Sequence, residues 1–298
     1  MNKNTIGHKI LHFPLTKIII GLVVCVGAVA LAQLLVLQLL QFTSLGKDLK
    51  NLISGVIAAV IVLLAYRYLF RLYEKRAITE LAKLDLIKNV TLGIALGATL
   101  QALTIMVIYL KGGYQVLSIN PFIFIIPPLT MALTSAIFEE ILLRGIIFRI
   151  AEEKLGSYLA LIISAVLFGA MHLANPHSSF TAATAIAIQA GLLLAAAYIY
   201  SRSLWLPIAI HFAWNFTQSA IFGANVSGSA VSKTLITSKI DGATWFTGGQ
   251  FGPEGSIQAT LFCLIAAIIL LVLSHRAGKI VKPFWTTERH AGNQAVRD

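Results

Sequence analysis

A small set of residues in an otherwise apolar chain has types and spacings suited to acid–base chemistry in the interior of a helix bundle. Glu139 and Glu140 are adjacent, and Arg144 follows Glu140 at i,i+4. Phe168 and His172 share that spacing, as do His211 and Asn215. On a helix such pairs lie on one face. Glu140 and Arg144 can therefore pair, with the arginine neutralising one carboxylate. Glu139 points about 100° away, because a helix has 3.6 residues per turn, and it has no intrahelical cation. An uncompensated carboxylate in a water-poor cavity suits a general base.

The elements that must position these groups are helices in a bilayer. Of 298 residues, 57% are hydrophobic and 12% are charged, against about 25% charged in a soluble protein. This excludes a disordered chain, a disulfide scaffold and an ordinary soluble enzyme. A spanning helix needs about 20 apolar residues. The charge-free runs predict eight spans, near 18–40, 51–70, 89–110, 127–150, 157–174, 181–200, 204–222 and 257–274. Asn175-Pro176-His177-Ser178-Ser179 is the turn that divides one long run in two. Pro127-Pro128 open the fourth span, because proline is tolerated at a helix start, and 115–126 is expected to be an interfacial or re-entrant piece. The expected fold is all-α, a single integral-membrane bundle with both termini on one side.

The net charge of +11 then reads as a topology signal, not as a sign of nucleic-acid binding. Lys3, Lys9, Lys17, the cluster from Arg67 to Lys88, Arg144, Arg149, Lys154, Arg202, Arg276, Lys279, Lys282, Arg289 and Arg297 fall on the side of the termini. Lys47, Lys50, Lys111, Lys233 and Lys239 are left for the other. The positive-inside rule makes the first side cytoplasmic, and the 67–88 segment is placed to touch anionic headgroups. The first apolar run continues to Leu40, beyond the 7–15 residues of a signal-peptide core, so it is read as a retained span. Cys25 and Cys263 fall inside spans, so no disulfide framework is expected. Gln101 and Gln189 sit mid-span and read as amides that bridge helices or line the cavity. The long 223–256 loop, with its glycine-rich Thr247–Gly255 stretch, reads equally as a lid or a connector.

Ionisable groups inside spans are costly and mark function by default. Glu139-Glu140-Ile-Leu-Leu-Arg144, Phe168-Gly-Ala-Met-His172 and His211-Phe-Ala-Trp-Asn215, in this order on successive spans, resemble the CPBP intramembrane proteases. That family includes the CAAX prenyl endopeptidases and the bacteriocin-processing or self-immunity (Abi) proteins. The resemblance covers residues 120–220 and implies an intramembrane endopeptidase. It implies that Glu139 activates a water, His172 orients or activates it, and His211 and Asn215 stabilise the oxyanion. Glu140, Arg144 and Phe168 would support the site. Members are often named metalloproteases, while a metal-free glutamate mechanism has also been argued. The H-E-x-x-H zinc signature is absent, so no cofactor is expected to be required. If a divalent metal such as zinc is held, Glu139, His172 and His211 are its expected ligands.

The expected partners are the lipid bilayer and a membrane-associated peptide or protein substrate, such as a bacteriocin-like leader, in a bacterial cytoplasmic membrane. Two other classes also fit. A proton-coupled transporter would use Glu139, His172 and His211 as a relay, but it calls for inverted repeats with broken helices in both halves. A non-catalytic immunity or scaffold protein would place its function away from the three motifs.

Overall fold

In hydrocarbon a backbone must satisfy its own polar groups, and an apolar run does so as a helix. The computed structural model describes residues 6–286, and helices dominate it. Lys3, Arg289 and Arg297 of the predicted basic side lie outside these residues. Six helical stretches among the described residues are long and apolar enough to cross a membrane. The chain is a multi-pass membrane protein.

After a short helix Ile6–Leu11, helices α1 (Pro14–Gln41), α2 (Lys47–Tyr73) and α3 (Leu86–Leu110) follow in order. Helix α4 (Ile126–Glu140) carries prolines in its first turn, as the sequence predicts. It continues as a π-helical segment, Ile141–Phe148, into α5 (Arg149–Met171). Gly156 breaks α5 with φ 75° and ψ 168°. A side chain there would run into the backbone of Val281 and Pro283. The chain beyond the last helix is seated in this break, with Ser157 N donating to Val281 O at 3.0 Å. Helix α6 (Phe180–Ile186), a second π segment (Ala187–Leu192) and α7 (Leu193–Ser201) form one rod. Helix α8 (Trp205–Phe216) ends in a third π segment (Thr217–Ile221), and α9 (Ile257–Arg276) closes the bundle.

Two segments are more ordered than the sequence reading foresees. Tyr114–Ile119 is a strand, β1, paired antiparallel with β2 (Ile236–Ile240). The 223–256 segment is not a bare loop. It contains β2, a helical turn at Thr244–Thr247 and a 3-10 turn at Pro253–Gly255. Neither cysteine is in a disulfide, and both are buried.

Charged residues collect at one end of the bundle, where the predicted cytoplasmic segments meet. Glu74 pairs with Lys17 at 3.2 Å, Arg76 at 2.7 Å and Arg149 at 3.0 Å. Arg202 pairs with Glu152 at 2.6 Å. Burial opposes ionisation of Glu80, but hydrogen bonds from Arg76 and Tyr66 hold its carboxyl below the usual range. This network gathers α1, α2, α5 and the α7–α8 turn.

One close helix contact matters for the site. Gly93 and Gly97 of α3 face Ala209 and Ala213 of α8, all at four-residue spacing. Small residues so placed let two membrane helices approach backbone to backbone. A Cβ at Gly97 would overlap the carbonyl oxygen of Ile210, the residue before His211.

Candidate active site

The centre is built on Glu140 and Arg144, both fully buried. Arg144 Nη1 donates to Glu140 Oε1 at 2.8 Å. Its Nη2 donates to Ala190 O at 2.7 Å and Gly191 O at 3.0 Å. Those carbonyls belong to the second π segment, where the helical hydrogen-bond pattern is disturbed. Such bulges are frequent at functional sites. The guanidinium also lies 4.8 Å from the centre of the Phe168 ring, a cation–π contact in a water-poor setting.

Phe168 orders the two imidazoles. Its ring stacks on His172 at 4.8 Å and 23°, and meets His211 edge-on at 6.0 Å and 65°. His172 Nδ1 lies 2.8 Å from Phe168 O, and His211 Nδ1 lies 3.0 Å from Glu140 Oε1. A carbonyl only accepts, and so does an ionised carboxylate. Both histidines therefore carry the proton on Nδ1 in the neutral form, and both keep the Nε2 lone pair available.

His172, His211 and Asn215 line a cavity of about 40 Å³, together with Gln189, Ser227 and Glu254. Its size admits a few waters at most, since one needs about 10–15 Å³. Glu139 is not in this lining. It faces a separate cavity of about 420 Å³ between α1, α2 and α4, beside Thr134 and Ser135. One carboxylate oxygen of Glu139, Oε2, is buried with no hydrogen-bond partner among the described residues. Asn215 Nδ2 donates to Ser135 Oγ at 3.3 Å, which ties one cavity wall to the other. Glu139 remains close enough to act electrostatically on His211 and Arg144.

The structure thus brings together His172, His211, Asn215, Phe168, Glu140 and Arg144, and sets Glu139 across a partition from the histidines. The foreseen metal ligands Glu139, His172 and His211 do not assemble. Among the described residues no group of three His, Cys, Asp or Glu side chains could hold a metal ion. This donor set does not fit a zinc site, and no step below is routed through a metal.

Glu254 and the Gly93–Gly97 pair escaped the sequence reading, whereas Gln189 was read there as a cavity-lining or helix-bridging amide. Glu254, in the glycine-rich stretch, lines the histidine cavity while its chain neighbours lie outside the bundle helices. Gln189 Nε2 donates to Thr260 Oγ1 at 2.8 Å and also to the backbone oxygen of Glu254. Gly93 and Gly97 seat the His211 helix, and their G-x-x-x-G spacing in an apolar span was the available signal.

Residues 121–217 match the family model described as Rce1-like, type II CAAX prenyl endopeptidase Rce1-like. That segment contains all three motifs, and the match bears out the resemblance they carry. It points to an intramembrane protease, with a lipid bilayer around it and a membrane-associated substrate. No curated protein and no solved structure matches the chain significantly.

Proposed function

We propose that this chain is an intramembrane endopeptidase that hydrolyses a peptide bond of a membrane-associated peptide or protein. One observation carries the reading. Two imidazoles with matched tautomers line a buried cavity beside a Glu–Arg pair, within the segment that matches the protease family. A water held by His172 Nε2 attacks the carbonyl carbon, and Glu139 takes its proton. The Asn215 amide donates to the oxyanion, as does His211 in its imidazolium form, in which Nε2–H is a donor. The C–N bond then breaks as the proton passes to the leaving nitrogen. Glu140 and Arg144 keep His211 and Phe168 in place. No tightly bound metal is required. Because Glu139 lies beyond the Asn215–Ser135 contact, this assignment requires the two cavities to join during the cycle.

A second reading rests on the Glu140–His211 contact at 3.0 Å. There Glu140 orients the imidazole and His211 Nε2 is the base, as in a carboxylate–histidine dyad. Peptidomics of membranes carrying the wild type or Glu139→Gln separates the two. Loss of cleavage products with expression preserved supports Glu139 as base. Cleavage at the wild-type rate rejects that role and leaves the dyad.

The same reading includes eight spans, cytoplasmic termini and a bacterial cytoplasmic membrane. It is supported by the gathering of Lys17, Arg76, Arg149 and Arg202 at one end of the bundle.

A further inference from the structure

Glu254 is 2% exposed, and no cation pairs with it among the described residues. Its partners are neutral donors. Oε1 accepts from the Ser227 backbone N–H and from Ser227 Oγ, the latter at 3.1 Å. Oε2 accepts from Gln218 Nε2, in the third π segment. The same Gln218 nitrogen donates to Asn225 O. The backbone oxygen of Glu254 accepts from Gln189, in the second π segment. One residue thus fastens both ends of the 223–256 segment to two helices of the site.

The local backbone is shaped for this fastening. Gly252 has φ 122°, a conformation that residues with a side chain rarely adopt. A Cβ there would overlap Asn225 O and lie 2.9 Å from Glu254 Oε2 and 3.0 Å from Gln218 Nε2. Gly228 N donates to Phe251 O at 2.7 Å, and a Cβ on Gly228 would overlap Pro176 O, in the turn that follows His172. Ser227 and Glu254 are themselves part of the cavity wall.

We infer that Glu254 is a positioning residue that clamps the 223–256 segment over the two-histidine cavity, making that segment the gate through which the cavity communicates with the non-cytoplasmic side. The carboxylate acts through Ser227 and Gln218 and need not touch the substrate. A membrane peptide reaches the imidazoles from that side only when the clamp releases. Calling the gated space a reaction site rests on the protease reading, whereas the clamp does not.

The protein contains its own reporter. Cys263 lines the cavity beneath the clamp, and Cys25 lies on α1, away from that cavity. In a Cys25→Ala background, Cys263 is challenged with a membrane-impermeant methanethiosulfonate reagent in proteoliposomes. The expected result is slow labelling in the parent and at least tenfold faster labelling in both Glu254→Ala and Gly252→Ala. Gly27→Ala, on α1 with open space around it, should label at the parent rate. Ser227→Ala, which removes one donor and leaves the backbone bond, should fall between and covers the case in which a stronger variant does not fold. Parent-rate labelling of the folded Glu254, Gly252 and Ser227 variants overturns the clamp. Because no cleavage is measured, failure of the protease reading leaves this outcome legible.

Discussion

His211 Nδ1 lies 3.0 Å from Glu140 Oε1, the same oxygen that takes Arg144 Nη1 at 2.8 Å. One buried carboxylate oxygen therefore fixes a cation from its own helix run and an imidazole from another. Removing one partner from a buried ion pair costs about 3–5 kcal/mol, because the other charge is left uncompensated. Arg144→Met should destabilise the protein by about that amount in thermal or denaturant unfolding. Glu140→Gln combined with Arg144→Met should recover a large part of the loss, because no lone charge remains. A double variant no more stable than Arg144→Met would show that the pair does not act as a unit.

His172 offers a cleaner test of chemistry. Its ring is only partly buried, and its one hydrogen bond goes to the carbonyl of Phe168. His172→Ala should leave the unfolding midpoint within a few degrees while lowering cleavage by about 10²–10⁴-fold, the range for loss of a general acid–base group. Unchanged cleavage by a folded variant would remove His172 from the mechanism.

Gly97 tests how the helix of His211 is seated. The Gly97→Ala methyl must push α8 outward at Ile210, and overpacking of this kind costs about 1–3 kcal/mol. Cleavage should fall as well, although Gly97 touches no reacting group. Gly27→Ala, with open space around it, should leave both stability and rate unchanged.

Burial pushes the Glu254 carboxyl up to about 7, against an ordinary value of 4.5, despite the donors from Ser227. The clamped state therefore binds more protons than a released one between those values. Clamping is strongest at low pH and weakens as pH rises through about 7, by the linkage between proton binding and conformation. The other titratable groups around this space are His172 and His211, Cys263 on α9 and His177 in the turn before α6. Phe180–Ile186 and Thr244–Thr247 contribute none. Cys263 labelling in the wild type, divided by that in Glu254→Gln at each pH, should rise between pH 5 and pH 8. A flat ratio would sever the gate from this carboxyl.

Much of the site was legible because membrane helices preserve short-range spacing. Glu140–Arg144, Phe168–His172 and His211–Asn215 each meet or share a wall at i,i+4, and the charge-free runs locate the helices. The 100° offset between Glu139 and Glu140, given by helix geometry, was visible too. That the offset sends them to opposite sides of a partition was not, since this depends on how α1 and α2 pack against α4. Strand β1 was hidden because its partner lies 117–126 residues further along the chain, at Ile236–Ile240. Glu254 was hidden because nothing local distinguishes a loop carboxylate that is exposed from one that is swallowed. Its burial arises from Gln189, Gln218 and Ser227, all distant in sequence or across the fold.

The Asn215–Ser135 contact, at 3.3 Å between neutral groups, sets an energy scale for the whole site. A hydrogen bond of this kind contributes about 0.5–1.5 kcal/mol net, so losing it shifts a conformational balance by roughly tenfold at most. Glu139 and the imidazoles line two adjoining cavities, one bordered by α1 and α2 and the other by α8 and the second π segment. The tie across their shared wall can be undone by thermal motion alone. On the proposed protease reading, such an arrangement keeps the Glu139 carboxylate apart from its water and brings the two into register only transiently.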